Sequence, residues 1–222
     1  MILRCLLSIS ISLGASLVFA DDHELKTVDE APKGLSPAIE KLLDPAGFQI
    51  AGDDGAVVEL WLLKSVAVKP KFKSSFSQMY PFMPGQLLGA IRVGDDVEYT
   101  DFRGQAMKTG TYTLRYGLQP MDGNHVGTSE TSDFLLALPA KIDTKSDAIG
   151  SFDELAELSA KSAGSTHPAI FSLLDPKKVK KKPKLEQDDF SEHWILSLVG
   201  KGKEKDKDVD LKVRLVVVGQ SE

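Results

Sequence analysis

Two of the four histidines in this chain of 222 residues closely follow aspartates, at spacings that suit a metal ion. In the stretch QPMDGNHVGTSETSDF, residues 119–134, Asp122 precedes His125 by three positions. In a bent loop, one carboxylate oxygen and one imidazole nitrogen at this spacing can contact the same ion. Two ligands do not complete a site. The stretch is equally explained as a polar connection between strands, because Asp122-Gly123 can form a turn by itself.

A further metal ligand is predicted at the N-terminus of the mature chain. Cleavage after Ala20 would leave a chain that begins Asp21-Asp22-His23. A free amine with histidine in third place can surround Cu(II) or Ni(II) with the amine, two deprotonated backbone amides and the imidazole. His167 is a fourth candidate, although it precedes a proline in a non-helical joint, where a capping or packing role is favoured. The candidate metal ligands are therefore His23, Asp122, His125 and His167, with copper as the candidate metal.

Residues 1–20 have the pattern of a secretory signal peptide. Arg4 precedes the apolar run Cys5–Val18, and the small residue Ala20 comes just before an acidic step. The run is shorter than the ~20 residues that a membrane-spanning helix needs. We therefore expect cleavage after Ala20, no transmembrane segment in the mature chain, and a periplasmic or secreted location.

Composition and motifs argue against several classes of protein. Cys5 is the only cysteine and lies in the predicted signal, so the mature chain would have no disulfide and no thiol nucleophile. A formal net charge of −5 disfavours a nucleic-acid-binding protein. The sequence has no Gly-x-Ser-x-Gly elbow, no His-Glu-x-x-His pair and no phosphate-binding loop. A non-enzymatic protein is expected, with an unrecognised hydrolase as an alternative because a catalytic site can lie in a fold without a motif.

The elements that must position these residues are predicted to be strands. About eight short strands with turns between them favour an all-β fold, an immunoglobulin-like antiparallel β-sandwich with a short helical insertion. The clearest strand is Thr111–Leu118, where tyrosine and leucine alternate with smaller or polar residues, as in a half-buried antiparallel strand. The stretches 48–51 and 56–65 flank the hairpin signal GDDG. The chain ends in a predicted hairpin of 193–199 and 211–218.

The mature chain is predicted to be one domain. Residues 21–34 are polar and expected to be flexible, and residues 35–222 would form the sandwich. Ser151 and Glu154 form a capping box that begins a helix to about residue 163, inside a helical insertion at 151–174. Gly164 can close this helix, and its apolar side is expected to pack flat on a sheet. Residues 177–189 are interpreted as a solvated charged linker, because acidic residues directly follow the lysine-rich stretch KKVKKKPK. An anionic partner is the alternative for these lysines.

An apolar cluster follows the second predicted strand. It consists of Phe72, Phe76, Met79, Tyr80, Phe82 and Met83. The cluster could be exposed to a partner or a lipid, or it could cover an open end of the sandwich. Burial is favoured, because large exposed apolar patches are uncommon.

The stretch GTYTLRYGLQPMDGNHVGTSETSDFLLAL resembles the strand–loop–strand signature of the periplasmic copper-resistance proteins of the C type. Gly110, Tyr112 and Tyr116 match the first strand, Asp122, Gly123 and His125 match the loop, and Gly127 and Phe134 match the later glycine and the phenylalanine-bearing second strand. The resemblance spans about residues 110–138. It implies an immunoglobulin-like sandwich in which Asp122 and His125 join a histidine of the mature N-terminus around Cu(II).

Two departures from that signature weaken the implied copper site. Asn124 is inserted between the glycine and the histidine, and the first mature residue would be Asp21 instead of histidine. The longer span from Gln86 to Leu174 is similar to a group of uncharacterised exported bacterial proteins, and that similarity implies no activity.

Three functions follow as hypotheses. The first is an exported, non-enzymatic binding or envelope-associated module, whose contacts to a small ligand or an envelope protein lie on the 120–132 loop. The second is an extracytoplasmic Cu(II)-binding protein that uses this loop and the mature N-terminus. The third is an unrecognised hydrolase.

Overall fold

The computed structural model of this protein describes residues 22–53, 55–119, 129 and 131–221. These residues form strands β1 (Glu24–Val28), β2 (Gly47–Gly52), β3 (Gly55–Leu62), β4 (Val66–Ala67), β5 (Leu87–Val93), β6 (Tyr99–Thr100), β7 (Ala106–Met107), β8 (Gly110–Leu118), β9 (Asp133–Pro139), β10 (Ile170–Ser172), β11 (Lys184–Gln187), β12 (Trp194–Glu204) and β13 (Lys207–Val218). Two α-helices, α1 (Pro37–Glu40) and α2 (Phe152–Ala163), and a 3-10 turn at Pro176–Lys178 complete the described elements. None of the described helices is long and apolar enough to cross a membrane.

The strands form a large and a small sheet. The large sheet has the order β1-β2-β3-β5-β8-β9-β10, with every pair antiparallel, so its strands are neighbours in the order in which they follow along the chain. The small sheet contains β11, β12 and β13, with β4 parallel to β12, and β6 pairs only with β7. The all-β prediction is confirmed in this form, with antiparallel sheets and two helices. Its immunoglobulin-like part stays a prediction.

The two sheets face each other across the main hydrophobic core. Tyr112, Leu114 and Tyr116 of β8 lie in the same buried cluster as Val213 and Leu215 of β13. Because side chains alternate across a strand, the tyrosine face of β8 is the face that the sequence pattern predicted to be buried. That prediction is confirmed.

The opposite face of β8 is buried as well, which the sequence did not predict. Thr113 and Arg115 are both 0 % exposed. The Arg115 guanidinium donates two hydrogen bonds to the Asp143 carboxylate (2.6 and 2.8 Å) and three to backbone carbonyls, those of Gly85 and Asp147 (both 2.8 Å) and of Lys145 (2.5 Å). All five N–H donors of the arginine are therefore used. Because every donor has an acceptor, the charged guanidinium of Arg115 can be buried under segment 139–150, which covers this face of β8.

Helix α2 covers the outer face of β9, as predicted for a helix that packs flat on a sheet. Ser151 is its N-cap, with Oγ accepting a hydrogen bond from the Glu154 amide (3.3 Å), and Gly164 ends it with φ +60°. Leu155 packs among the outward-facing apolar side chains of β9 and β10. Ser159 Oγ donates to the carbonyl of Ala137 in β9 (2.8 Å). The capping signal in the sequence therefore marked both the start and the end of this helix correctly.

The N-terminal segment is ordered where the sequence suggested flexibility. Residues 24–28 pair with β2 as an edge strand, and the indole Nε1 of Trp61 donates to the carbonyl of Glu30 (2.9 Å). Val28 and Leu35 pack against the cluster that contains Trp61. The segment is fixed because it covers an apolar part of the outer face of the large sheet.

The predicted linker at 177–189 is also partly ordered. Residues 184–187 form β11, which pairs with β12, and Leu185 packs on the main core. The side chain of Leu185 explains the difference, because one apolar residue in the charged stretch has a core to contact. The lysines of 177–184 remain exposed, as a solvated stretch predicts.

The final hairpin is longer than predicted. β12 and β13 pair from Trp194 opposite Val218 to Glu204 opposite Lys207, so the charged residues 201–208 are mostly strand. The apolar cluster at 72–83 is divided: Tyr80 and Phe82 are buried, as favoured, whereas Phe76 is 95 % exposed and Met83 is 55 % exposed.

Candidate functional site

A cleft of about 420 Å³ opens where several strand ends of the two sheets come together. The turn between β2 and β3, the loop between β5 and β6, the residue before β1 and the end of β13 line it. Its volume falls in the range of roughly 300–1,000 Å³ that is common for small-molecule sites. The cleft is therefore of a size that could hold a small molecule, and it contains one of the predicted metal ligands, His23.

Two Gly-Asp-Asp sequences form its acidic sides. They begin at Gly52 and Gly94, and Asp53, Asp96 and Glu98 line the cleft. The second sequence packs against the start of β3: the Gly94 amide donates to the carbonyl of Val57 (3.0 Å), and a Cβ at Gly94 would lie 1.9 Å from the carbonyl oxygen of Ala56. Only glycine fits at that position. This contact fixes the backbone of the second sequence against the strand that follows the first.

His23 lies at the rim of this cleft. Its ring centroid is 5.1 Å from that of Trp194, with the planes tilted by 51°. A Cβ at Gly52 would lie 3.8 Å from His23 Nε2, so the imidazole is next to the β2–β3 turn. Of the four predicted metal ligands, His23 is the one that the described structure places with carboxylates.

Tyr99 also lines the cleft, but its hydroxyl is turned into the fold. It donates a hydrogen bond to the carbonyl of Val217 (2.5 Å). Burial raises the pKa of Tyr99, and the negative charge of Asp101 raises it further. The hydroxyl therefore stays protonated at neutral pH and helps to fasten β13 to the wall of the cleft.

The other predicted ligands are not brought together by the described chain. Asp122 and His125 lie outside the described residues. The flanks of their loop are fixed at the end of β8 that is distant from Gly110: the Gln119 amide donates to the carbonyl of Ser132 (2.8 Å). His23 lies next to β1 at the other end of the strands of the large sheet, the end at which Gly110 begins β8.

His167 is exposed in the turn after α2 and is not among the residues that line the cleft. Its amide donates to Ser165 Oγ (3.0 Å), which agrees with a turn-forming role for this segment. Among the described residues, no three His, Cys, Asp or Glu side chains lie close enough to hold a metal ion.

Sequence reasoning missed the carboxylates of the cleft. The GDDG stretch predicts Asp53 to be part of a hairpin turn, and Gly94-Asp95-Asp96 is likewise typical of a turn. The repeated Gly-Asp-Asp was the available signal. It could not show that the two sequences, 42 positions apart, line the same cleft.

A second polar cluster is closed to ligands. The Asp133 carboxylate accepts hydrogen bonds from the amides of Met79 (2.8 Å) and Tyr80 (3.1 Å) and from the hydroxyl of Tyr116 (2.5 Å). Asp133, Tyr80 and Tyr116 are fully buried. Burial raises the pKa of Tyr116, and its hydrogen bond to Asp133 raises it further. This cluster fastens the 79–82 segment to β8 and β9 and is structural.

Comparison of the chain with models of known protein families, with curated proteins and with solved structures gives no match. The resemblance of residues 110–138 to the copper-resistance signature therefore stays a prediction. The function has to be argued from the cleft itself.

Proposed function

We propose that this chain is an exported, non-catalytic binding module that holds a small, positively charged ligand in the acidic cleft. The observation that carries the proposal is the cleft of about 420 Å³, with Asp53, Asp96 and Glu98 on its walls and His23 at its rim. A ligand with an amine or guanidinium group would complement these carboxylates.

The support of the cleft favours binding. Its side chains extend from strand ends and from a loop that is fixed against β3 at Gly94, so the backbone of the cleft needs little reorganisation when a ligand enters. The ring of Trp194 lies 5.1 Å from that of His23, at a tilt of 51°, and offers an aromatic surface near the same opening. A cation above an aromatic face gains further stabilisation.

Export and a periplasmic or extracellular location belong to the same proposal. The pattern of residues 1–22 supports them, through one positive charge, a short apolar run and a small residue before the acidic step.

Three four-carbon compounds test the charge preference of the cleft: the dication putrescine, the neutral butanediol and the dianion succinate. We expect saturable binding of putrescine with one site per chain and no binding of the other two, measured by isothermal titration calorimetry. The double variant Asp96→Asn/Glu98→Gln should weaken putrescine binding at least about tenfold, which corresponds to about 1.4 kcal/mol.

The matched control is Asp206→Asn/Asp208→Asn, which removes the same charge from exposed positions at the β12–β13 hairpin tip. It should bind putrescine as the parent chain does. If both double variants bind putrescine equally weakly, the loss comes from the change in net charge and the acidic cleft is not the site. Preferential binding of butanediol or succinate over putrescine would also contradict the proposal.

A second candidate is Cu(II) binding, and the position of His23 favours it. The ladder between β1 and β2 begins at Glu24, so the amides of Asp22 and His23 precede the paired strand. In a mature chain that begins at Asp21, those two amides and the imidazole would be three of the four nitrogen ligands of a square-planar site. The immunoglobulin-like sandwich implied by the copper-resistance signature belongs to this candidate.

Titration of the mature protein with Cu(II), followed by visible absorption, tests this second candidate. We expect one equivalent to bind, with binding lost in His23→Ala and retained in His125→Ala if the N-terminal tripeptide acts alone. Loss in His125→Ala would support the shared site with Asp122 and His125. A spectrum without any visible copper band would exclude both forms of the copper hypothesis.

A further inference from the structure

One exposed surface combines an aromatic tip with a concentration of lysines. We define the lysine–phenylalanine surface as Phe76 with Lys73, Lys177 and Lys178, all of them exposed. Lys71 is left out, because its amide donates to the carboxylate of Glu204 (2.8 Å). Residues 60–94 contain no acidic residue, although the whole chain has 32 acidic and 27 basic residues. The positive charge here is therefore a local departure from an acidic protein.

The fold brings the two parts of this surface together from distant positions. Phe76 and Lys177 line one shallow depression, together with Ser74, Ser75 and Met79. Asp175 also lies there, and its carboxylate accepts a hydrogen bond from the Lys177 amide (2.9 Å). Lys180, Lys181 and Lys182 continue the exposed positive charge along the chain.

Phe76 is presented by an anchored turn. The Ser75 amide donates to the carbonyl of Gln78 (2.9 Å), which closes the turn around Phe76. Gln78 is held in turn: its Nε2 donates to the carbonyl of Phe82 (2.9 Å), and its Oε1 accepts from Lys69 Nζ (2.8 Å). The buried carboxylate of Asp133 holds the next amide, that of Met79. An aromatic ring fixed at the tip of such a turn is kept out of the core by the structure around it.

We propose that the lysine–phenylalanine surface docks on a lipid bilayer with anionic headgroups. The lysines complement the negative surface, and their apolar stems can extend over the headgroup region while the ammonium groups contact phosphate. A single phenylalanine on a convex turn among serines and lysines suits insertion at the boundary between headgroups and acyl chains. The surface is separate from the acidic cleft, so this docking does not depend on what the cleft binds.

Sedimentation with vesicles tests the docking, with the chain without residues 1–20, which contains every described element. It should bind vesicles of phosphatidylglycerol mixed with phosphatidylcholine and should not bind phosphatidylcholine alone. Lys177→Gln and Lys178→Gln should each reduce the partition coefficient about fivefold. Phe76→Ser should reduce it about fivefold to tenfold. High salt should release the protein, because screening weakens attraction to the surface.

Two matched controls separate this surface from general stickiness. Phe190 is 96 % exposed but lies next to Asp188 and Asp189, so Phe190→Ser should bind as the parent chain does. Lys141→Gln/Lys161→Gln removes exposed lysines elsewhere and should change partition less than Lys177→Gln/Lys178→Gln. The proposal is overturned if anionic vesicles are not bound, if Phe190→Ser loses as much binding as Phe76→Ser, or if Phe76→Ser binds unchanged.

Discussion

Replacing Arg115 by methionine is expected to lower the free energy of unfolding by about 3–5 kcal/mol, measured by urea denaturation. The substitution would leave the carboxylate of Asp143 buried, with the hydroxyl of Thr113 as its side-chain donor. It would also leave three backbone carbonyls, those of Gly85, Lys145 and Asp147, without the hydrogen bond that Arg115 donates to each. A buried charge without its partner costs far more than the pair itself contributes.

Arg92→Met is the matched control for this loss. Arg92 pairs with Glu59 (3.2 Å) and Asp95 (2.6 Å), but its side chain is 31 % exposed. Water can replace the missing partner, so the expected loss is about 1 kcal/mol or less. Adding Asp143→Leu to Arg115→Met should recover part of the stability, because the orphaned charge is then removed. Similar losses in Arg115→Met and Arg92→Met would contradict the structural role assigned to Arg115.

The second large effect is alkaline unfolding. Burial raises the pKa of all four tyrosines, Tyr80, Tyr99, Tyr112 and Tyr116, above the ordinary value of about 10. Above that pH the unfolded chain loses phenolic protons while the folded chain keeps them. The contribution of these groups to stability is therefore complete below pH 10 and falls as the pH rises.

The size of the alkaline effect follows from the number of groups. Each shifted tyrosine lowers the free energy of unfolding by about 1.4 kcal/mol per pH unit once the unfolded form is ionised. Tyr80, Tyr99 and Tyr116, which have the largest shifts, together give roughly 4 kcal/mol per pH unit. We expect tyrosinate absorbance to appear in one step, together with the loss of circular dichroism of the strands.

Tyr99→Phe provides the test of the number of titrating groups. It removes one hydrogen bond, to the carbonyl of Val217, and one of those groups. The variant should be slightly less stable at neutral pH, while its stability should fall less steeply above pH 10. Tyrosinate absorbance near pH 10 in a chain that still has its strands would show that these hydroxyls are accessible to water.

The sequence predicted the local parts of the fold well. Ser151 and Gly164 marked the two ends of α2, and the GDDG stretch marked the β2–β3 turn, because capping and turn chemistry act between residues that are close in sequence. Alternation over β8 identified its core face. All of these signals need only a few consecutive residues.

The features that the sequence could not predict depend on partners that lie far apart along the chain. The pattern gave no reason to bury Arg115, because its partner is Asp143, 28 positions later. β1 looked flexible, since its residues are polar except for Leu25 and Val28, and its order comes from pairing with β2. The cleft is missed for the same reason, because its walls come from turns at 52–55 and 94–98 and from the end of β13. The candidate metal ligands, by contrast, are suggested by spacing within short stretches, which cannot show whether distant ligands meet in the fold.

The order of the strands also has a consequence for how the protein is made. Residues 24–172 supply the whole large sheet, but its tyrosine face meets its cover only when β12 and β13 have emerged, and these are the last strands of the chain. A ribosome that has not yet reached Trp194 therefore holds a chain in which the tyrosine face of the large sheet is open to water. Such a chain is vulnerable to aggregation, because its exposed core residues can contact other chains. Its main core cannot form until β12 and β13 have been synthesised. If the chain is exported, as we propose, a fold that closes last at β12 and β13 would delay the moment at which the polypeptide becomes too bulky for a narrow export channel.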